Sequence, residues 1–328
     1  MRAIRWGVLG YARIARQSLM PAIGRASGAQ LIALASRDPA KLAAARSEFG
    51  IERLYSRYED LLADPEIDAI YNPLPNSLHQ EWTIRAAEAG KHVLCEKPLA
   101  LNLTQARAMV DVCQRRGVKL MEAFMYRYTE RTRLVLDTID RGVLGNVMFV
   151  ESSFRFLLNR PESIKLHSEL GGGSLYDVGC YPVNFSGMIA DRCAGVKPGT
   201  RRPEAVAARA TRVHGVDQIF SGVLHYADGL MASVNCGFNA HKRVFSEVIG
   251  TEGVLEIPDT FFDNPGVLTL TRGEHREEIP VPLSDRYRSE VEDFSGAIRD
   301  DREPAFALAE SLRNAEVIDQ LLQTIGAG

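Results

Sequence analysis

The sequence predicts a two-domain α/β protein. A doubly wound parallel sheet occupies residues 1–123, and an α/β domain with a large, open, mainly antiparallel sheet occupies 124–328. Three observations predict it. In the first third, apolar strands alternate with helices, the grammar of βαβ units whose parallel sheet is covered on both faces. Past about residue 124 the pattern changes to strand–turn–strand units, with a hairpin signal at Ala227-Asp228-Gly229. A chain of 328 residues is also long enough to bury two cores.

Each element has a local reason. "AIRWGVLG" reads as a buried strand, followed by a helix over 14–26 with a kink expected at Pro21. "QLIALAS" is the second strand, and "PAKLAAARSEFG" a helix opened by Pro39 and closed by Gly50. "IDAIYNPLP" is a strand, and "SLHQEWTIRAAEAG" a helix capped by Ser77 and ended at Gly90. "KHVLCEKP", "LTQARAMVDVCQRRG" and "VKLMEAF" complete the alternation. In the second domain "NVMFVESSFRF" has period two, with Met148, Val150, Ser152, Phe154 and Phe156 on one face. Val147, Phe149, Glu151, Ser153 and Arg155 take the other. "QIFSGVLHYADGLMASVNCGF", "FSEVIGTEGVLEI" and "VLTLTRGEHREEIPV" add further strands, and helices over 288–299 and 305–325 close the chain.

The totals exclude several functions. A formal net charge of −3 gives no reason to expect nucleic acid or an anionic membrane as partner. Five cysteines without CxxC spacing argue against a disulfide framework and a zinc site, and no His/Asp/Glu cluster has metal spacing. No signal core precedes the first strand and no apolar run reaches membrane-spanning length, so a cytoplasmic protein is expected.

Where the first strand meets the first helix stands "WGVLGYARIA", with Gly10, Ala12 and Ala15 in the places of G-x-G-x-x-G/A. There a dinucleotide's pyrophosphate can lie on backbone N–H groups, so Gly10, Tyr11, Ala12, Arg13 and Ile14 are expected to hold it. Strand two ends Ser36-Arg37-Asp38, with Lys41 one turn on. A serine and a guanidinium suit a 2′-phosphate, which selects NADP, with NAD as the alternative. Asp38 stands against this choice, because it could pair with Arg37 or serve a ribose hydroxyl itself.

"AGKHVLCEKPLA" releases an adjacent acid and base, Glu96 and Lys97, at the end of an apolar strand, then blocks a helix with Pro98. Together with "GVLGYARIA", "PLPNSLH", "GGGSLYDVGCYPV" and "IGTEGVLEI", this stretch resembles the glucose–fructose oxidoreductase/inositol dehydrogenase (Gfo/Idh/MocA) family over nearly the whole chain. The resemblance implies a Rossmann domain followed by a domain with an open sheet used for oligomerisation, giving a homodimer or homotetramer. It implies that Lys97 is the active-site lysine beside the nicotinamide. It places Tyr181 of "LYDVGCYPV" where the inositol dehydrogenases carry a histidine, a pattern similar to the dimeric dihydrodiol dehydrogenase, D-xylose dehydrogenase and sugar ketoreductase branch.

Tyrosine, with an ordinary pKa of about 10, is protonated at neutral pH and can donate to a forming alkoxide. Asp177, four residues before Tyr181, shares its face if both are helical, although Pro182 requires the helix to begin just before it or to bend. Asp177 would accept from a substrate hydroxyl or orient the lysine. Loop atoms of Pro73, Leu74, Asn76 and His79, which follow the "IDAIYN" strand, are expected to line the ribose and nicotinamide together with Glu96; the resemblance further implies that Glu122 and Ala123 lie near the nicotinamide, with Tyr287 reaching the same cleft. Arg127, Arg155 and Arg160 are candidate substrate contacts, and residues 157–173 the specificity loop. The expected activity is NADP-dependent hydride transfer to or from a sugar-like hydroxyl or carbonyl. The alternatives are trans-dihydrodiol oxidation and a non-catalytic NAD(P)-sensing regulator.

Overall fold

Strands that are apolar on both faces need cover on both. In the computed structural model, which describes residues 2–326, six such strands form one parallel sheet. They are β1 (Ile4–Leu9), β2 (Ala29–Ala35), β3 (Arg53–Tyr55), β4 (Ala69–Asn72), β5 (His92–Glu96) and β6 (Leu120–Ala123), in the order β3-β2-β1-β4-β5-β6. The order reverses between β1 and β4, where a doubly wound sheet opens its ligand crevice at the carboxyl ends of the strands.

The helices of this unit follow local chemistry. α1 (Met20–Arg25) carries Pro21 in its first turn, where the missing N–H costs no helical bond. A π-helical turn, Ala15–Leu19, precedes it in place of the kink expected at Pro21. α2 (Pro39–Phe49) begins at its proline and stops at Gly50, whose φ of 65° is left-handed. α3 (Tyr58–Ala63) follows β3. α4 (His79–Glu88) is not capped by Ser77, which lies inside a preceding 3-10 turn, Asn76–Leu78. α5 (Leu103–Arg116) leads to β6.

A linear boundary at 123/124 misses a return of the chain. Residues 101–103 join the second compact unit, as does the chain from Tyr126, while Asp285–Leu308 goes back to the first. That segment contains α8 (Arg286–Arg299). Its Phe294 packs on Trp6 of β1 with ring centroids 5.7 Å apart, and Ser295 Oγ accepts from Trp6 Nε1 at 3.2 Å. Trp6 is fully buried, so the first core is incomplete without a helix encoded nearly three hundred residues later.

The second unit holds α6 (Glu130–Asp140), α7 (Cys180–Cys193), α9 (Leu308–Gly326, less its first residue) and an eight-stranded sheet. Its strands are β7 (Val147–Leu157), β8 (Ala205–Val213), β9 (Val216–His225), β10 (Met231–Gly237), β11 (Asn239–Gly250), β12 (Val254–Pro258), β13 (Gly266–Arg272) and β14 (His275–Val281). They are ordered β14-β13-β12-β11-β7-β10-β9-β8, antiparallel except for the parallel pair β7–β10. One face, including Val150, Val234 and Val248, is buried, and α7 packs against β7 and β10. Phe149, Ile219 and Val223 lie exposed. Among the described residues no helix is long and apolar enough to cross a membrane.

Candidate active site

The nucleotide turn is built as a close-approach site. Gly10 has φ 85°, and a Cβ there would stand 3.3 Å from Leu74 Cδ2 and 3.5 Å from the Tyr58 hydroxyl. Its N–H donates to Ala35 O at 2.7 Å, fixing the turn to β2. Ala12, Arg13 and Ile14 then open the helix, whose first N–H groups have no partner within it. Tyr11 offers backbone only. Its hydroxyl donates to Glu48 Oε2 at 2.8 Å, and desolvation with that carboxylate pushes its pKa up to about 12. Tyr58, which the sequence reading passed over, borders this turn from the start of α3, in a stretch to which that reading assigned no element.

The end of β2 gives Asp38 a structural role. Its Oδ1 accepts from Ala40 N at 2.9 Å as the N-cap of α2, and its N–H donates to Ser36 Oγ. One carboxylate oxygen is thus engaged by the helix, while Arg37 and Lys41 stay exposed beside it. This donor set, together with the glycine cradle, fits a dinucleotide with a 2′-phosphate.

The Lys97 turn is held from both sides. β5 ends at Glu96, and the Lys97–Pro98 bond that follows is cis. Pro98 O lies 2.8 Å from Nδ1 of His79, and Leu99 N donates to Oε1 of Glu122 at 2.8 Å. Glu96 Oε1 accepts from the buried Tyr71 hydroxyl at 2.6 Å. Lys97 itself is half-buried. Asn72 anchors the neighbouring loop, accepting from Leu74 N and donating to Thr83 Oγ1. Pro73 and Leu74 are buried there, Asn76 is half-buried, and Ala123 ends β6 beside Glu96.

His79 requires a correction. Its ring does not line a cofactor path: it is fully buried, and its Nε2 lies 2.8 Å from Leu74 O. The imidazole thus ties the β4 loop to the Lys97 turn. Burial lowers its pKa, with a smaller contribution from the Lys97 charge, although the backbone carbonyls favour the charged form.

Tyr287, on α8, is half-buried, and desolvation pushes its pKa up to about 12. Near it lies Glu290, fully buried, with neither carboxyl oxygen hydrogen-bonded among the described residues. Burial, reinforced by the Glu96 charge, raises its pKa well above the ordinary carboxylate range.

In the second unit, "GGGSLYDVGCYPV" forms a π-helical turn, Leu175–Gly179, running into α7. The wider turn accommodates Pro182 close to the start of α7. Asp217 of β9 caps it: Oδ2 accepts from Ser174 Oγ at 2.6 Å and Leu175 N at 2.8 Å. Gly173, at φ 122°, leaves room for Asp217, since a Cβ would stand 2.3 Å from Oδ1. Asp177 Oδ2 lies 2.5 Å from Lys165 Nζ. Tyr181, 4% exposed, packs its ring on Phe261 (5.2 Å), Phe154 (5.5 Å) and Tyr126 (6.0 Å).

Two of the candidate substrate arginines are engaged elsewhere. Arg127 is mostly buried and paired with the fully buried Glu310, Nη1 to Oε2 at 2.5 Å, and it also donates to Asn184 Oδ1. Arg155 donates to Ser153 Oγ at 3.0 and 3.1 Å, on the strand face opposite Phe154 and hence opposite Tyr181. Arg160 is exposed in the loop after β7. Among the described residues, no three His, Cys, Asp or Glu side chains are grouped to hold a metal ion.

Comparisons with known proteins agree with this construction. The family described as "Oxidoreductase family, NAD-binding Rossmann fold" matches residues 4–124, and "GFO/IDH/MocA C-terminal domain" matches 132–256. The D-xylose 1-dehydrogenase (NADP(+)) 2 of Haloferax volcanii is 38% identical, with 98% of each chain covered. The trans-1,2-dihydrobenzene-1,2-diol dehydrogenase of Xenopus tropicalis is 28% identical over 99% of this chain and 98% of its own. Among solved structures, KijD10, a 3-ketoreductase from Actinomadura kijaniata in complex with NADP and TDP-benzene, superposes with a TM-score of 0.91. It is 29% identical, covering 99% of this chain and 98% of its own. That enzyme has also been solved with a tyrosine replaced by phenylalanine and with a lysine replaced by alanine. Matched in both halves and along almost its full length, this chain belongs to the GFO/IDH/MocA family of oxidoreductases.

Proposed function

We propose that the protein is an NADP-dependent dehydrogenase or reductase of sugar-like secondary alcohols, hemiacetals or ketones. The observation that carries this reading is the Lys97 turn. Two buried side chains, His79 and Glu122, hold the backbone on either side of the Pro98–Leu99 bond. A solvated surface lysine needs no such support, whereas an ammonium that must meet a developing charge does.

Gly10, Ala12, Arg13 and Ile14 would hold the pyrophosphate, Ser36, Arg37 and Lys41 the 2′-phosphate, and Glu96 the nicotinamide end. The bound dinucleotide supplies or accepts the hydride. Lys97 donates to the substrate oxygen and stabilises negative charge there. In reduction the Tyr181 phenol gives its proton to that oxygen; in oxidation its phenolate takes the proton from the substrate hydroxyl. Asp177 accepts from a second substrate hydroxyl. The names of relatives support both aldose oxidation and keto-sugar reduction, and trans-dihydrodiol oxidation is a second reading favoured by the match along almost the whole chain. The exposed sheet face with Phe149, Ile219 and Val223 supports a homodimer or homotetramer.

Following NADPH absorbance with aldoses, keto-sugars and trans-dihydrodiols tests the reading. Wild type should turn over at least one class, and Lys97→Met and Tyr181→Phe should lose most of that rate while still binding NADP. Cofactor binding with equal, negligible rates in all three proteins would identify a regulator instead.

A further inference from the structure

The loop that follows β7 brings one unassigned side chain to the proposed substrate residues. Ser163 opens a 3-10 turn, Ile164–Leu166, and the chain then doubles back: Gly173 N donates to Lys165 O at 2.9 Å, and Gly172 N to His167 O at 2.9 Å. The return is so tight that a Cβ on Gly172 would stand 2.6 Å from Lys165 O. Backbone and side chain of Lys165 are therefore fixed to the same short segment, since its Nζ lies 2.5 Å from Asp177 Oδ2. The ammonium also sits 5.1 Å from the centroid of the Phe156 ring, a cation–π contact that holds it in place. The pair is neither buried nor fully solvated, with side-chain exposures of 25% for Lys165 and 15% for Asp177.

We propose that Lys165, held beside Asp177, is a specificity-determining residue that donates to a hydroxyl adjacent to the one Asp177 accepts from, so that the site favours substrates carrying that second hydroxyl. A carboxylate only accepts hydrogen bonds and an ammonium only donates, whereas a hydroxyl does both. Of two neighbouring hydroxyls, one donates to Asp177 and the other accepts from Lys165, so each charged group keeps a partner when the substrate enters. A substrate with an isolated hydroxyl bonds only one member of the pair and forfeits one of the two charge-assisted hydrogen bonds that a diol makes. The pair carries no net charge, so it gives an anionic sugar acid no advantage over a neutral polyol. Aldoses present such a diol beside the reacting carbon, whereas a trans-dihydrodiol, whose two hydroxyls include the reacting one, does not. The inference rests on the proposed oxidoreductase reading and assigns Lys165 a specificity role within it.

The test uses the full-length protein with D-xylose, 2-deoxy-D-xylose and 3-deoxy-D-xylose as probes. Turnover is measured with NADP, and sugar affinity by calorimetry on the NADPH-bound protein, where oxidation cannot proceed. Lys165→Met should weaken D-xylose binding and raise its KM by about ten- to a hundredfold, with NADP affinity unchanged. For the deoxy sugar lacking the hydroxyl that Lys165 reads, the same substitution should change affinity by less than about twofold. Lys165→Arg should restore most of the D-xylose affinity, which a misfolded loop would not allow. Equal losses on all three sugars, or none, overturn the proposal. A wild type that neither binds nor oxidises any of them overturns the proposal, and a Lys97→Met protein as active as wild type overturns the oxidoreductase reading as well. An active wild type, an inactive Lys97→Met and a uniform response to Lys165→Met remove the Lys165 role alone.

Discussion

The Nδ1 atom of His79 lies 2.8 Å from the carbonyl oxygen of Pro98, and the opposite ring nitrogen lies 2.8 Å from that of Leu74. A neutral imidazole can donate to only one of them, and the imidazolium to both. His79→Leu removes either donor and leaves buried carbonyls unpaired, at a cost of about 1–3 kcal/mol. We expect a lower melting temperature and, because the Lys97 turn loosens, a kcat reduced by up to about a hundredfold. The pH dependence has a definite sign. With a folded pKa below the ordinary value of about 6.5, His79 contributes stability that is present above that value and lost as pH falls through the folded pKa. Denaturation curves at pH 5 and 8 should show a smaller pH effect in the variant, and equal pH effects would contradict this account.

Arg127 and Glu310 form a pair whose acid is fully buried. Breaking such a pair from one side leaves an uncompensated charge, worth about 3–5 kcal/mol. Arg127→Met and Glu310→Gln should each lower stability in urea by that order, and the double variant by less than their sum. An unchanged midpoint with a raised substrate KM for Arg127→Met would return this arginine to the substrate.

Glu290 is a buried carboxyl with no hydrogen bond among the described residues. Its folded pKa is raised, so folding favours the protonated form. The stability it permits is fully present below the ordinary glutamate value and declines as pH rises toward the folded pKa. Glu290→Gln, neutral at every pH, should therefore stabilise the protein at pH 8, by about 1–3 kcal/mol, and much less at pH 4.5. Melting curves at the two pH values decide it, and a destabilised variant at pH 8 would mean that the carboxylate form has a partner.

How much of this was legible beforehand depended on range in sequence. The alternation of β1, β2, β4, β5 and β6 with helices, the Pro39 start and the Gly50 stop are local patterns and were readable, whereas β3, three residues long, and the six-residue α3 were not. So was the Glu96-Lys97-Pro98 turn as chemistry, because proline restricts its neighbour directly. Its supports were not, since nothing around Glu122 indicates that its carboxylate receives Leu99 N, 23 residues away. Arg127 looked available because its partner Glu310 lies 183 residues on. Arg155 shows a different failure. The period-two pattern had already placed it opposite Phe154, and only the face that α7 covers, unreadable from one strand, shows which side carries Tyr181.

The acid at the end of β2 now separates two explanations of cofactor choice. Asp38 Oδ1 caps α2 through Ala40 N at 2.9 Å, while the exposed Arg37 stands beside it. If Arg37 is the 2′-phosphate ligand, Arg37→Ala loses a charge-assisted fork and the KM for NADP should rise about ten- to a hundredfold, with that for NAD changing little. Asp38→Ala should instead cost about 1 kcal/mol of stability through the lost cap and leave the NADP-to-NAD ratio where it was. Steady-state kinetics with both cofactors, paired with thermal melts, distinguish the two. A Asp38→Ala protein that melts normally but loses NAD selectively would show the carboxylate serving the ribose, and an Arg37→Ala protein weakened equally toward both cofactors would make that arginine a structural element of the β2–α2 turn.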